Sequence, residues 1–178
     1  MQQHQYQQPS LSQSQSQIQQ HQNREGELAP TLPLISQGLI KVDIQTYFQQ
    51  YENLLAGFQP NIDLRLIPSK KGNSVLLTKA GAEKICRFLG LNYRLISEQP
   101  YLDFNNNIFH YSYQCQLYCN ESLIGNGYGN CNNRESKYKN AYSPDILNTI
   151  DKMAQKRAFI QAVLLSTGGS RYFRQLTN

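Results

Sequence analysis

One stretch constrains the fold of this chain more than any other: SPDILNTIDKMAQKRAFIQAVLLSTGG, residues 143–169. Ser143 suits an N-cap, Pro144 the first helical position, and Asp145 the positive end of the helix dipole. Gly168 and Gly169 supply the stop. The spacing predicts a helix from Pro144 to about Thr167, roughly 36 Å long at ~1.5 Å per residue. Around it, Ile146, Leu147, Ile150, Met153, Ala154, Ala158, Ile160, Leu164 and Leu165 form one broad apolar arc. Lys152 and Lys156 stack one turn apart at one edge of that arc, with Phe159 beside them. Arg157 and Gln161, also a turn apart, fall inside it. An arginine there either snorkels past the core edge or points into a groove holding an anion.

The segment before the helix changes period. IFHYSYQCQLYC (108–119) alternates: Phe109, Tyr111, Tyr113, Cys115, Leu117 and Cys119 face one way, His110, Ser112, Gln114 and Gln116 the other. Asn120 and Glu121 read as a hairpin turn, and SLIGNGYGNC (122–131) as the returning strand. NYRLISE (92–98) reads as a strand entering the same meander. Upstream, Ile44, Phe48, Tyr51, Leu55 and Phe58 recur at helical spacing and predict a helix over 43–58, ended by Gly57 and Pro60. Residues 60–73 read as a loop ending in a turn with two lysines, and 74–77 as a short strand. Thr78 caps a second short helix that Gly90 terminates. The expected fold is α+β: an antiparallel meander of three to four strands, a long C-terminal helix packed across it, and two shorter helices before it.

Residues 1–22 contain 11 glutamines and almost no aliphatics, so they cannot bury enough apolar surface to offset their ordering entropy. Residues 1–40 therefore read as a disordered glutamine-rich tail and linker, and 41–178 as one folded domain. No apolar run suggests a signal peptide or a membrane span, and four cysteines make no disulfide framework in a chain of 178 residues. A reducing cytoplasm is the expected setting, with no membrane partner.

Charge is unevenly placed. Residues 134–178 carry 8 basic and 3 acidic groups, which accounts for the whole net charge of +5. Cations interleave with aromatics there: Arg134, Lys137, Tyr138, Lys139, Tyr142, Lys152, Lys156, Arg157 and Phe159. Cations track phosphates and aromatic faces stack on unpaired bases, which is the chemistry of single-strand binding. Other chemistries find no support. Cys115 and Cys119 share a strand face ~13 Å apart, too far to chelate one ion, and no metal-ligand pair accompanies them. Gly125, Gly127 and Gly129 lie inside a strand and open no helix, so they point to close approach of a backbone or ligand and not to a nucleotide loop. No nucleophile, base or paired-carboxylate set is visible, so the expectation is a non-enzyme without cofactor or metal.

Three stretches in order resemble the Rad-fifty-two/DdrA-type single-strand annealing superfamily, over roughly residues 60–175. They are AGAEKICRFLGL followed by a Tyr-Arg strand, the strand ending IGNGYGNC, and NTIDKMAQKRAFIQAV followed by TGGS. The resemblance implies a β-β-β-α core that assembles into rings or filaments. It also implies single-stranded DNA in a basic groove between meander and long helix, and annealing without nucleotide hydrolysis. Lys156 and Arg157 would hold the DNA backbone, with Lys152 as helper and the 134–139 loop alongside. The spaced glycines would let strands or DNA come close. The chain lacks tryptophan and has the neutral run MAQ where acidic residues are common in that superfamily. The expected function is single-stranded DNA binding and strand annealing in repair or recombination, as a homo-oligomer. The alternative is an assembly protein of mobile-element or phage origin that oligomerises without a nucleic-acid role.

Overall fold

A computed structural model describes residues 43–68, 74–138, 141 and 143–173. The glutamine-rich segment, the lysine-bearing turn at 69–73, Lys139 and Tyr142 lie outside the described residues.

Helix α1 (Ile44–Ala56) starts where Asp43 accepts from the backbone N–H groups of Gln45 and Thr46. Strands β1 (Leu64–Ile67) and β2 (Ser74–Leu77) pair antiparallel as a separate two-stranded sheet. The sequence reading took 60–73 as loop. LRLI is only four residues long, too short to show a period, and its strand character comes from pairing with SVLL. Helix α2 (Lys79–Leu89) runs between the two caps foreseen for it. Thr78 Oγ1 accepts from Gly81 N–H, and Gly90 at φ 67° closes the helix with its N–H on the carbonyls of Arg87 and Cys86. Buried Asp63 ties the hairpin to α2 by accepting from Lys84 Nζ at 2.6 Å and from Gln59 N–H at 2.9 Å.

The main sheet has four strands: β3 (Leu91–Ser97), β4 (Tyr101–Asp103), β5 (Ile108–Cys119) and β6 (Ser122–Asn132). β5 is central and antiparallel to all three others. β6 lies along one side of it, while β3 and β4 follow one another along the other side. β4 lies between the two stretches read as strands, 92–98 and 108–119, where three residues carry no periodic signal. Helix α3 (Ser143–Ser166) packs across the face that carries Phe109, Cys115, Leu117 and Cys119. The fold is the α+β arrangement expected.

The contact between α3 and β6 is unusually close. A Cβ built on Gly129 would fall within 3.0 Å of Ala158 N and Ala154 O; on Gly127 it would meet Ala162 N and Ala158 O. On Gly125 it would meet the Ser166 hydroxyl. Ala154, Ala158 and Ala162 are fully buried against this row. Two strand residues advance ~6.6 Å and four helical residues ~6.0 Å, so the glycine and alanine rows stay in step as they run antiparallel. The close approach expected from the glycines is therefore filled by the chain's own helix. It leaves no room for DNA along that row, contrary to the groove implied by the resemblance. Because the atoms met at Gly127 and Gly129 are backbone, Gly129→Ala should lower the unfolding free energy by about 1–3 kcal/mol or more. Asn126→Ala, on the exposed face of the same strand, should stay within about 0.5 kcal/mol. Urea titrations of the two variants check the difference.

Candidate nucleic-acid interface

With α3 seated on the glycine row, its two flanks meet different surroundings. One flank carries Arg157 and Gln161 to the outer edge of β6. Gln161 Oε1 accepts from Tyr128 N–H, and Arg157 Nη1 donates to the Asn130 carbonyl. Glu135, just beyond the strand, accepts from Asn132 N–H and holds Arg157 in a two-point ion pair at 2.6 and 2.7 Å. These three side chains satisfy backbone groups that an edge strand otherwise leaves open. The Arg157 guanidinium is pinned inside the domain by Glu135, so the sequence expectation that it grips DNA gives way to a structural arginine.

The rest of the 134–138 segment is part of the same clasp. Lys137 Nζ lies 3.2 Å from Glu135 and over the Tyr138 ring. Tyr138 Oη accepts from the Cys131 thiol, and Arg134 donates to the Asn106 carbonyl at 3.0 Å. These residues are brought together, but toward a carboxylate and a carbonyl of the domain itself.

The Arg157 guanidinium pulls the Glu135 carboxyl from its ordinary 4.5 down to about 2. A carboxylate lowered on folding stabilises above its unfolded value and loses that contribution as pH falls toward the folded one. Glu135→Gln should be less stable than the native chain by ~2 kcal/mol at neutral pH. The two should converge between pH 4.5 and about 2, followed by urea midpoints across that range.

The other flank of α3 faces β3. Phe159, buried on this side, packs against the Tyr93 ring at 4.5 Å between centroids, and Tyr93 is 44% exposed. One turn earlier, Tyr113 Oη donates to Asp151 at 2.6 Å and accepts from Gln155. The Asp151 carboxylate, which also accepts from Gln155 Nε2, is thus directed inward. Lys152 and Lys156 stand next to this row, Lys152 three residues before Gln155 and Lys156 three before Phe159, on the side of the helix turned from the glycines. Lys152 is exposed and Lys156 half-buried, and neither forms an ion pair with a described residue. Of the predicted cations among the described residues, Lys152 and Lys156 are the two without a hydrogen bond or ion pair to another described side chain or carbonyl.

Sequence reasoning passed over Tyr93, and also the uncovered face of the sheet. No described helix packs on the face carrying Arg94, His110, Gln114, Tyr118 and Tyr128. The available signal was the polar half of the alternation in 108–119, which marks a face left to solvent. The cysteines are buried and free, and burial pushes the thiols of Cys86 and Cys115 up to about 12 and about 11, so both pack as neutral apolar groups. Among the described residues no three His, Cys, Asp or Glu side chains gather as a metal site, and no helix is long and apolar enough to cross a membrane.

No protein-family model matches the chain, and a search of curated proteins gives no match either.

Proposed function

We propose that this domain binds single-stranded DNA and anneals complementary strands, as a homo-oligomer and without nucleotide hydrolysis. The observation that carries the reading is the flank of α3 where Lys152 and Lys156 lack carboxylate partners among the described residues, on the helix whose Phe159 packs against the exposed Tyr93 ring. Lysines without internal partners are free to neutralise phosphates, and an exposed ring next to them accepts an unpaired base. A duplex keeps its bases stacked internally and offers no such partner to the ring, so the arrangement favours single strands.

The reading predicts tight, salt-sensitive binding of a labelled ~30-nucleotide single strand in fluorescence anisotropy, with weaker binding of the duplex. Each neutralised phosphate contributes about −0.7 to the log–log salt slope for single strands, so Lys152→Ala with Lys156→Ala should flatten the slope by ~1.4. Both positions are at least partly solvent-accessible, so the folded state should survive the change. An absence of binding by the native chain at low salt would overturn the reading.

A further inference from the structure

We propose that the uncovered face of the four-stranded sheet is a stacking platform for unpaired bases, built on Tyr101, Tyr118 and Tyr128. The proposal rests on the reading of the domain as a single-strand binder and deepens it. It assigns further bases, beyond any at Tyr93, to a second surface that is separate from the lysine flank and uses different chemistry.

The strand register puts the three tyrosines on one face. Tyr101 of β4 is opposite His110 of β5, Tyr128 of β6 is opposite Gln114, and Tyr118 belongs to β5 itself. Positions 110, 114 and 118 are four residues apart, so the three rings stand in rows ~13 Å apart along the sheet. Tyr101 and Tyr128 are each more than half exposed, at 56% and 55%. Each hydroxyl is tied to a neighbour on the same face. Tyr101 Oη donates to Asp103 at 3.3 Å, Tyr118 Oη donates to Gln116 at 2.7 Å, and Tyr128 Oη accepts from Gln114 Nε2 at 3.1 Å. A ring anchored at its far end has less freedom to lose when a flat partner settles on it. Exposed Tyr101 and Tyr128, with half-buried Tyr118 beyond them, offer such tethered rings.

The polar groups between the rings identify the partner. Arg94 pairs with Gln116 in the row between Tyr128 and Tyr118, and its guanidinium enters no ion pair with a described residue. Asp103, one carboxylate of the face, is already occupied by Tyr101 and by Asn106. One free cation cannot track a run of phosphates, but amides and a guanidinium can bond base edges whose rings stack on tyrosine. Exposed Ile96, in the row of Gln114 and Tyr128, and exposed Leu123, opposite Tyr118, make a second copy of the chain the rival occupant, which the test separates from bases.

The test compares two labelled probes on the full chain: a thymidine 30-mer, and an abasic strand with the same number of phosphates. The native chain should bind the thymidine strand at least tenfold more tightly than the abasic one. Tyr101→Ala with Tyr128→Ala should remove most of that difference while leaving the salt slope unchanged. Tyr101→Phe with Tyr128→Phe, which keeps the rings, should retain most of it. Equal affinity of the native chain for the two probes overturns the platform without any substitution being made, and leaves only the phosphate binding of the lysine flank standing. Failure of both probes to bind overturns both. Alanine variants that bind thymidine normally but lose self-association, or lose binding of a neutral glucan probe, also overturn the platform by assigning the face to another partner.

Discussion

The structure depends on a contact between two backbones. Gly125, Gly127 and Gly129 present no side chains, and Ala154, Ala158 and Ala162 present only methyl groups, so β6 and α3 approach until strand and helix main chains touch. Few residue pairs permit this distance, and the near-match of the two repeats lets it persist over three successive positions. The contact fixes the rotation of the long helix as well as its distance. A quarter-turn of α3 would drive Arg157 or Gln155 into the glycine row.

That fixed rotation divides the positive charge of the C-terminal quarter into two populations. On one flank, Arg157 and Lys137 converge on Glu135, and the resulting cluster closes the outer edge of β6 together with Gln161. These charges hold the fold together. On the other flank, Asp151 is drawn inward by Tyr113 and Gln155, which leaves Lys152 and Lys156 without a nearby described partner. Net charge alone describes both populations as one basic patch. Only the pairing separates cations spent on the fold from cations left for a ligand. On the proposed account, the available lysines meet phosphates and Tyr93 a base on one side of the sheet, and a different stretch of the strand meets the tethered tyrosines on the other.

Much of the scaffold was legible in the sequence because its signals are local. Caps at Thr78 and Gly90 act within a few residues, and the alternation in 108–119 needs only one strand to be read. The short strands β1 and β4 were not legible, since their existence depends on partners elsewhere in the chain. The glycine row announced a close approach but could not name the helix as the group approaching. Arg157 shows the same limit at the candidate site. Its position inside an apolar arc allowed either snorkelling past the core edge or a groove holding an anion, and its partner, Glu135, is 22 positions away in a polar loop. Of the tyrosine face only Tyr118 lies in the alternating stretch; Tyr101 falls on three-residue β4 and Tyr128 on the glycine-bearing strand, so the face exists only once the strands pair.

Photo-crosslinking tests the central claim most directly. A 4-thiothymidine-substituted single strand would be bound to the full chain, irradiated, and its adducts mapped by peptide sequencing. The account predicts adducts at Tyr93 and at peptides spanning Lys152 and Lys156, with the Arg134–Tyr138 segment unlabelled because its cations are engaged by Glu135 and the Asn106 carbonyl. Adducts concentrated on that segment, with none on the β3-facing flank of α3, would contradict it.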